Sequence, residues 1–106
     1  MIATDIPSTA RRPGVWRGVL HEATDQAAMF APVVKDAIRV RSAGEIGAAV
    51  ARAARTALAA PARPVYVEIP TDLLSERTLP NGSDPFRRVV EGSREPDRGQ
   101  LDRALT

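Results

Sequence analysis

The segment Gly18-Val19-Leu20-His21-Glu22-Ala23-Thr24-Asp25-Gln26 holds the only histidine of the chain, directly beside a glutamate. Imidazole titrates near neutral pH and a carboxylate can orient or assist it, so the two residue types together suit general acid–base work. Their adjacency argues against a self-contained dyad. Neighbours on a strand point to opposite sides, and on a helix they diverge by roughly 100°. Only in a loop could both side chains reach one cleft. Taken alone, the pair reads more simply as a surface histidine next to a surface acid.

Other residues offer chemistry singly. Asp25 and Gln26 suit the start of a helix. Lys35 could act as a cation in a site, although a lysine facing water on a strand edge is the commoner arrangement. Glu68 interrupts an apolar run, and the expectation is that it lies on the exposed side of an edge strand rather than serving as a functional carboxylate. Trp16 reads as a packing or interface residue. With one histidine and no cysteine, the sequence excludes a multi-histidine zinc centre, thiolate catalysis and disulfides. It carries neither a GxGxxG fingerprint nor a Walker phosphate loop.

The elements that must position these residues follow from periodicity and punctuation. Met1 to Ile6 is a short apolar stretch that suits a buried strand and stops at Pro7. Pro7 to Gly14 has loop composition. Thr24 or Asp25 can cap a helix running to about Ala31, where Pro32 stops it. Val33 to Val40 reads as a strand of imperfect alternation. Ser42 and Glu45 have capping-box spacing. Behind them Ile46, Val50, Ala53, Ala54, Ala57 and Leu58 fall on one helical stripe that ends before Pro61. Pro64 to Ile69 favours extended structure. Strand, helix, strand, helix, strand predicts an α/β architecture with a parallel sheet.

Composition sets the outer bounds. A chain of 106 residues makes one small domain at most. Hydrophobic residues are 43% but aromatics only 4%, and alanine dominates the apolar set, so the core is small and expected to be stable only against a partner surface. The net charge is +2, and arginines are spread along the chain among acids, which predicts a solvated surface and no nucleic-acid partner. No segment reaches the ~20 apolar residues of a membrane span and no secretory leader is present, so no membrane partner is expected and a cytoplasmic location follows by default.

One further pattern adds to this. Ile2 to Pro7, Leu20-His21-Glu22, Asp25-Gln26, Val33-Val34-Lys35, Arg39-Val40, Glu45-Ile46 and Pro64 to Pro70 with Asp72 form an ordered set of short motifs. Together they resemble the later part of the N-terminal pyrimidine-binding domain of thiamine diphosphate-dependent enzymes, the group that includes acetolactate synthase and oxalyl-CoA decarboxylase. Each motif is weak, but the order is specific, and it covers about residues 1 to 75. The Ala62-Arg63-Pro64 approach to the last strand departs mildly from the usual proline-glycine.

The resemblance implies an incomplete thiamine diphosphate-binding fold, a partial parallel sheet with flanking helices. It implies that 1–75 belong to the pyrimidine domain, 76–96 to a linker and 97–106 to the truncated start of a central domain. His21 and Glu22 become the expected catalytic positions, for substrate positioning or proton traffic, with Glu22 also near the cofactor. The implied cofactors are thiamine diphosphate with Mg2+, and FAD as in some relatives. The implied partners are a small-molecule substrate, the missing domains and a homo-oligomeric copy. In such enzymes a glutamate earlier in the domain drives the tautomer that deprotonates the thiazolium carbon, and a separate domain with a Gly-Asp-Gly motif holds the diphosphate and metal. The matching segments would lie upstream of Met1 and in that other domain. The expectation is therefore a fragment of a lyase, decarboxylase or carboligase acting on 2-oxo acids or acyl-CoA substrates, inactive alone. The alternatives are a split-subunit module that completes another chain's cofactor domain, or an unrelated small α/β binding protein. His-Glu matches neither the Phe-Gln of acetolactate synthases nor the Tyr-Glu of oxalyl-CoA decarboxylases, so the substrate stays open.

Overall fold

A computed structural model describes residues 1–78 together with Gly99, Asp102 and Arg103. The expected linker at 76–96 and the central-domain start at 97–106 fall almost wholly outside the described residues. Three strands form one sheet: β1 (Ile2–Asp5), β2 (Asp36–Arg39) and β3 (Val65–Pro70). Helix α1 (Gln26–Phe30) lies between β1 and β2 in sequence, and α2 (Ile46–Leu58) between β2 and β3. The sheet order is β1-β3-β2 and both pairings are parallel, as the alternation of elements predicts.

The last strand in sequence is therefore the central one. All six residues of β3 are buried, because strands flank both its edges and helices cover both its faces. Side chains alternate across the sheet. Val65, Val67 and Ile69 meet Ile38 and Val40 of the β2 segment, with Ala53 of α2 completing a buried cluster. Ile46, Ala49 and Ala57 pack against it. Tyr66 faces the other side and stacks on Phe30 of α1, ring centroids 4.5 Å apart and 20° from parallel.

Local chemistry explains the element boundaries. Asp25 caps α1 by accepting from the Ala28 amide at 3.1 Å. The expected capping box at Ser42 does not form. The Ser42 side chain makes no cap bond, and its carbonyl instead accepts from the Glu45 amide in a 3-10 turn over Ala43–Glu45. The Glu45 carboxylate reaches back one residue further, to the Arg41 amide at 3.2 Å. The expected helical stripe is narrower than its sequence, since Leu58 at its end is exposed.

The second strand is shorter than the expected Val33 to Val40, and Lys35 lies just before it. Its Nζ donates to the carbonyls of Ala59 at 2.9 Å and Pro61 at 3.2 Å. The lysine thus satisfies carbonyls left over where α2 ends and fits the favourable end of the helix dipole. It ties the start of β2 to the approach to β3, which the amide of Lys35 also reaches through the Pro64 carbonyl at 2.7 Å.

The core is open on one flank. Among the described residues strand β1 pairs only with β3, and Ile2 is 59% exposed. A groove of about 250 Å3 runs between Met1, Ile2 and the Val50–Ala57 side of α2, down to Val65 and Val67. A core this small leaves little redundancy. Ile38, 4% exposed and central to the cluster, should show it: Ile38→Val is expected to cost about 1 kcal/mol and Ile38→Ala about 3 kcal/mol, read from urea denaturation midpoints at unchanged slope.

Candidate functional site

Parallel α/β sheets bind ligands outside the carboxyl ends of their strands, where loops leave the sheet. Towards that end lie Asp5, Arg39 and Glu68: Arg39 is level with Glu68, and Asp5 is level with Pro70, two residues further along β3. The connection from β1 to α1, residues 6–25, folds over them.

Glu68 corrects the expectation for its position. It lies on the central strand, not an edge, and is fully buried. Arg39 Nε donates to its Oε1 at 2.6 Å, and Arg11 Nη2 lies 3.6 Å from the same oxygen. The Tyr66 hydroxyl donates to Oε2 at 3.3 Å. Arg11 also pairs closely with the buried carboxylate of Asp5, whose other oxygen accepts from the Ile6 amide at 2.9 Å. Arg39 Nη2 reaches Asp25 at 3.1 Å. One connected set of charges therefore joins the ends of all three strands, the loop and the cap of α1.

Gln26 extends the set. Its amide nitrogen donates to the Thr4 carbonyl at 2.9 Å and to the Tyr66 hydroxyl at 2.7 Å, bridging β1 and β3. Burial raises the Tyr66 hydroxyl pKa, assisted by the neighbouring Glu68 charge. The Asp25 carboxyl lies below its ordinary value, chiefly through the Ala28 amide and, against slight desolvation, through Arg39. Asp72 is lowered as well, because Ser8 donates to it from both hydroxyl and amide. That contact fastens the turn after β1 to the turn after β3.

The two residues singled out for chemistry are found in the loop but do not converge. The Glu22 carboxylate accepts from the amides of Arg17, Gly18 and Val19, at 2.8 to 3.2 Å. It closes its own loop, helped by positive φ at Gly18 (72°) and His21 (63°). A left-handed histidine is uncommon and marks a backbone set by its surroundings. Glu22 lines a cleft of about 280 Å3 with Ile6, Arg11, Trp16, Asp25 and Arg39. His21 lines a different one of about 350 Å3, with Thr4, Asp5, Gln26 and Thr71. Trp16, read as a packing or interface residue, is 67% exposed at the first cleft.

A division of labour results. Asp25, Gln26, Lys35, Arg39, Glu45, Glu68 and Asp72 all hold the scaffold together through specific bonds. Among the described residues, no hydrogen bond or ion pair engages the His21 imidazole, which leaves it available to a ligand. The buried Asp5–Arg11–Glu68–Arg39 set was missed from sequence. Its only signal was an acid inside an apolar strand.

No family model matches the chain. No helix among the described residues is long and apolar enough to cross a membrane. Among those residues no group of three or more His, Cys, Asp or Glu side chains is gathered to hold a metal ion.

Two outcomes check the site's electrostatics. Glu68→Gln removes the buried anion that Arg11 and Arg39 share, leaving Arg11 with Asp5 and Arg39 with Asp25, and is expected to cost about 2 kcal/mol in chemical denaturation. Arg12→Gln, exposed and nearby, should stay within about 0.5 kcal/mol. Asp25→Ala should cost about 1 kcal/mol at pH 7. Because the folded-state pKa of Asp25 is depressed below 3.8, this stabilisation is complete above that pH. It fades as the pH falls through the lower folded value, so the gap between wild type and Asp25→Ala should narrow progressively as the pH is taken below 3.8.

Proposed function

We propose that residues 1–75 act as the substrate-facing part of the pyrimidine-binding domain of a thiamine diphosphate-dependent lyase, decarboxylase or carboligase. The substrates would be 2-oxo acids or acyl-CoA compounds, and these 106 residues would not turn them over alone. The observation that carries the reading is the Gly18–Gln26 loop, which lies over the carboxyl ends of parallel strands with His21 unengaged. The ordered motif set and the strand–helix–strand topology support it.

Within this reading the roles of the two site residues separate. His21 is the group that meets substrate, as hydrogen-bond partner or proton carrier. Glu22, with three amides on its carboxylate, is a positioning residue that sets the loop. Direct proton transfer by Glu22 would require these bonds to break.

The cofactor's diphosphate and metal do not fit the residues present. The sequence has no Gly-Asp-Gly, and the described residues gather no acidic cluster for Mg2+. That half of the cofactor, and any FAD, would be held by other domains. The open flank at β1 and α2 favours the same view. Its apolar floor is continuous with the core, as expected where further strands and helices of one sheet pack on, from the same or a second polypeptide.

Deuterium exchange at the thiazolium C2 of thiamine diphosphate, followed by NMR with Mg2+ present, tests this. The chain alone should leave exchange unaccelerated. Adding polypeptides that carry the activating glutamate unit and the Gly-Asp-Gly domain should accelerate it strongly, and His21→Ala in that assembly should impair turnover more than exchange. Acceleration by the chain alone, or none from the assembly, would overturn the proposal.

A further inference from the structure

A further depression starts at the end of β2 and runs between β2 and the outer side of α2. It is an open depression of about 480 Å3. Its floor is apolar, from Ile38 and Val40. Arg41 after β2, and Arg52 and Arg55 on α2, stand around it, all exposed. Arginines 52 and 55 are three apart, so they lie on one helix face, and the β2–α2 crossover brings Arg41 alongside.

These three guanidinium groups differ from Arg11 and Arg39, which are held by carboxylates. Among the described residues no acid lies within ion-pair distance of Arg41, Arg52 or Arg55. The one acid of the groove, Glu45, directs its carboxylate to the Arg41 backbone amide. Three like charges bordering one groove repel one another, and an anion bound among them relieves that repulsion. Guanidinium forks match phosphate oxygens bidentately.

We propose that this groove binds a phosphate-bearing small molecule, its phosphate groups taken by Arg41, Arg52 and Arg55 and its remainder lying over Ile38 and Val40. The inference is independent of the thiamine diphosphate reading: Arg39 borders both this groove and the Glu22 cleft, but Arg41, Arg52 and Arg55 line neither the His21 nor the Glu22 cleft.

Isothermal titration of the full 106-residue chain with inorganic pyrophosphate and with adenosine diphosphate tests it, in about 0.1 M salt so that distant charges are screened. Saturable binding tighter than ~1 mM is expected, weakened about tenfold or more in Arg52→Gln/Arg55→Gln, as loss of one charge-assisted bond implies. Arg63→Gln, outside the groove, should bind as wild type. Circular dichroism confirms that each variant is folded, and Arg41→Gln serves should the double variant fail. No saturation, binding unchanged in the groove variants, or a poly-glutamate peptide binding as tightly as pyrophosphate would overturn the proposal, the last by assigning the groove to acidic protein chains.

Discussion

The described structure depends on a fully buried carboxylate in the middle of its central strand. Glu68 has no exposed surface, and an isolated charge in that position would be untenable. It is held because Arg39 comes level with it from β2, Arg11 approaches from the loop and Tyr66 donates from its own strand. Each partner is fixed in turn, Arg39 by Asp25 and Arg11 by Asp5. Burying the charge therefore determines where the loop, the α1 cap and the strand ends must be. Apolar packing on the α2 face sets the sheet's thickness, but it is non-directional and does not fix the loop.

This arrangement gives the two faces of β3 different roles. Valines and isoleucine on one side supply burial against α2, while Tyr66 and Glu68 on the other supply directional bonds beside the clefts. Polar networks in a low-dielectric setting hold geometry firmly when every member is satisfied. A rigid floor under the Gly18–Gln26 loop suits the left-handed backbone of His21.

Much of the fold was legible in the sequence for definite reasons. Pro32, Pro61 and Pro70 punctuate the elements, and Asp25 supplies a cap of the expected kind. Alanine-rich periodicity marks α2, and the β-branched run marks β3. What escaped was long-range. Parallel pairing puts residues 5, 39 and 68 together, and no local spacing encodes that. Glu68 was read as an edge residue because nothing local shows that the last strand inserts between the first two. Lys35 was read on a strand, since the helix-end carbonyls that recruit its amine lie far along the chain. For His21 and Glu22 a loop was only the setting in which both could reach one cleft, and which cleft each faces depends on bonds from Glu22 to backbone amides, which side-chain identity alone does not disclose.

Lys35 has one more implication. It is the sole lysine among the 106 residues, and its amine clasps the carbonyls where α2 gives way to the approach to β3. Reagents that acylate side-chain amines, including biotin esters and common crosslinkers, can reach no other lysine and would act on a joint of the fold. Labels for this chain are better carried on an introduced thiol, which would be unique in a sequence without cysteine.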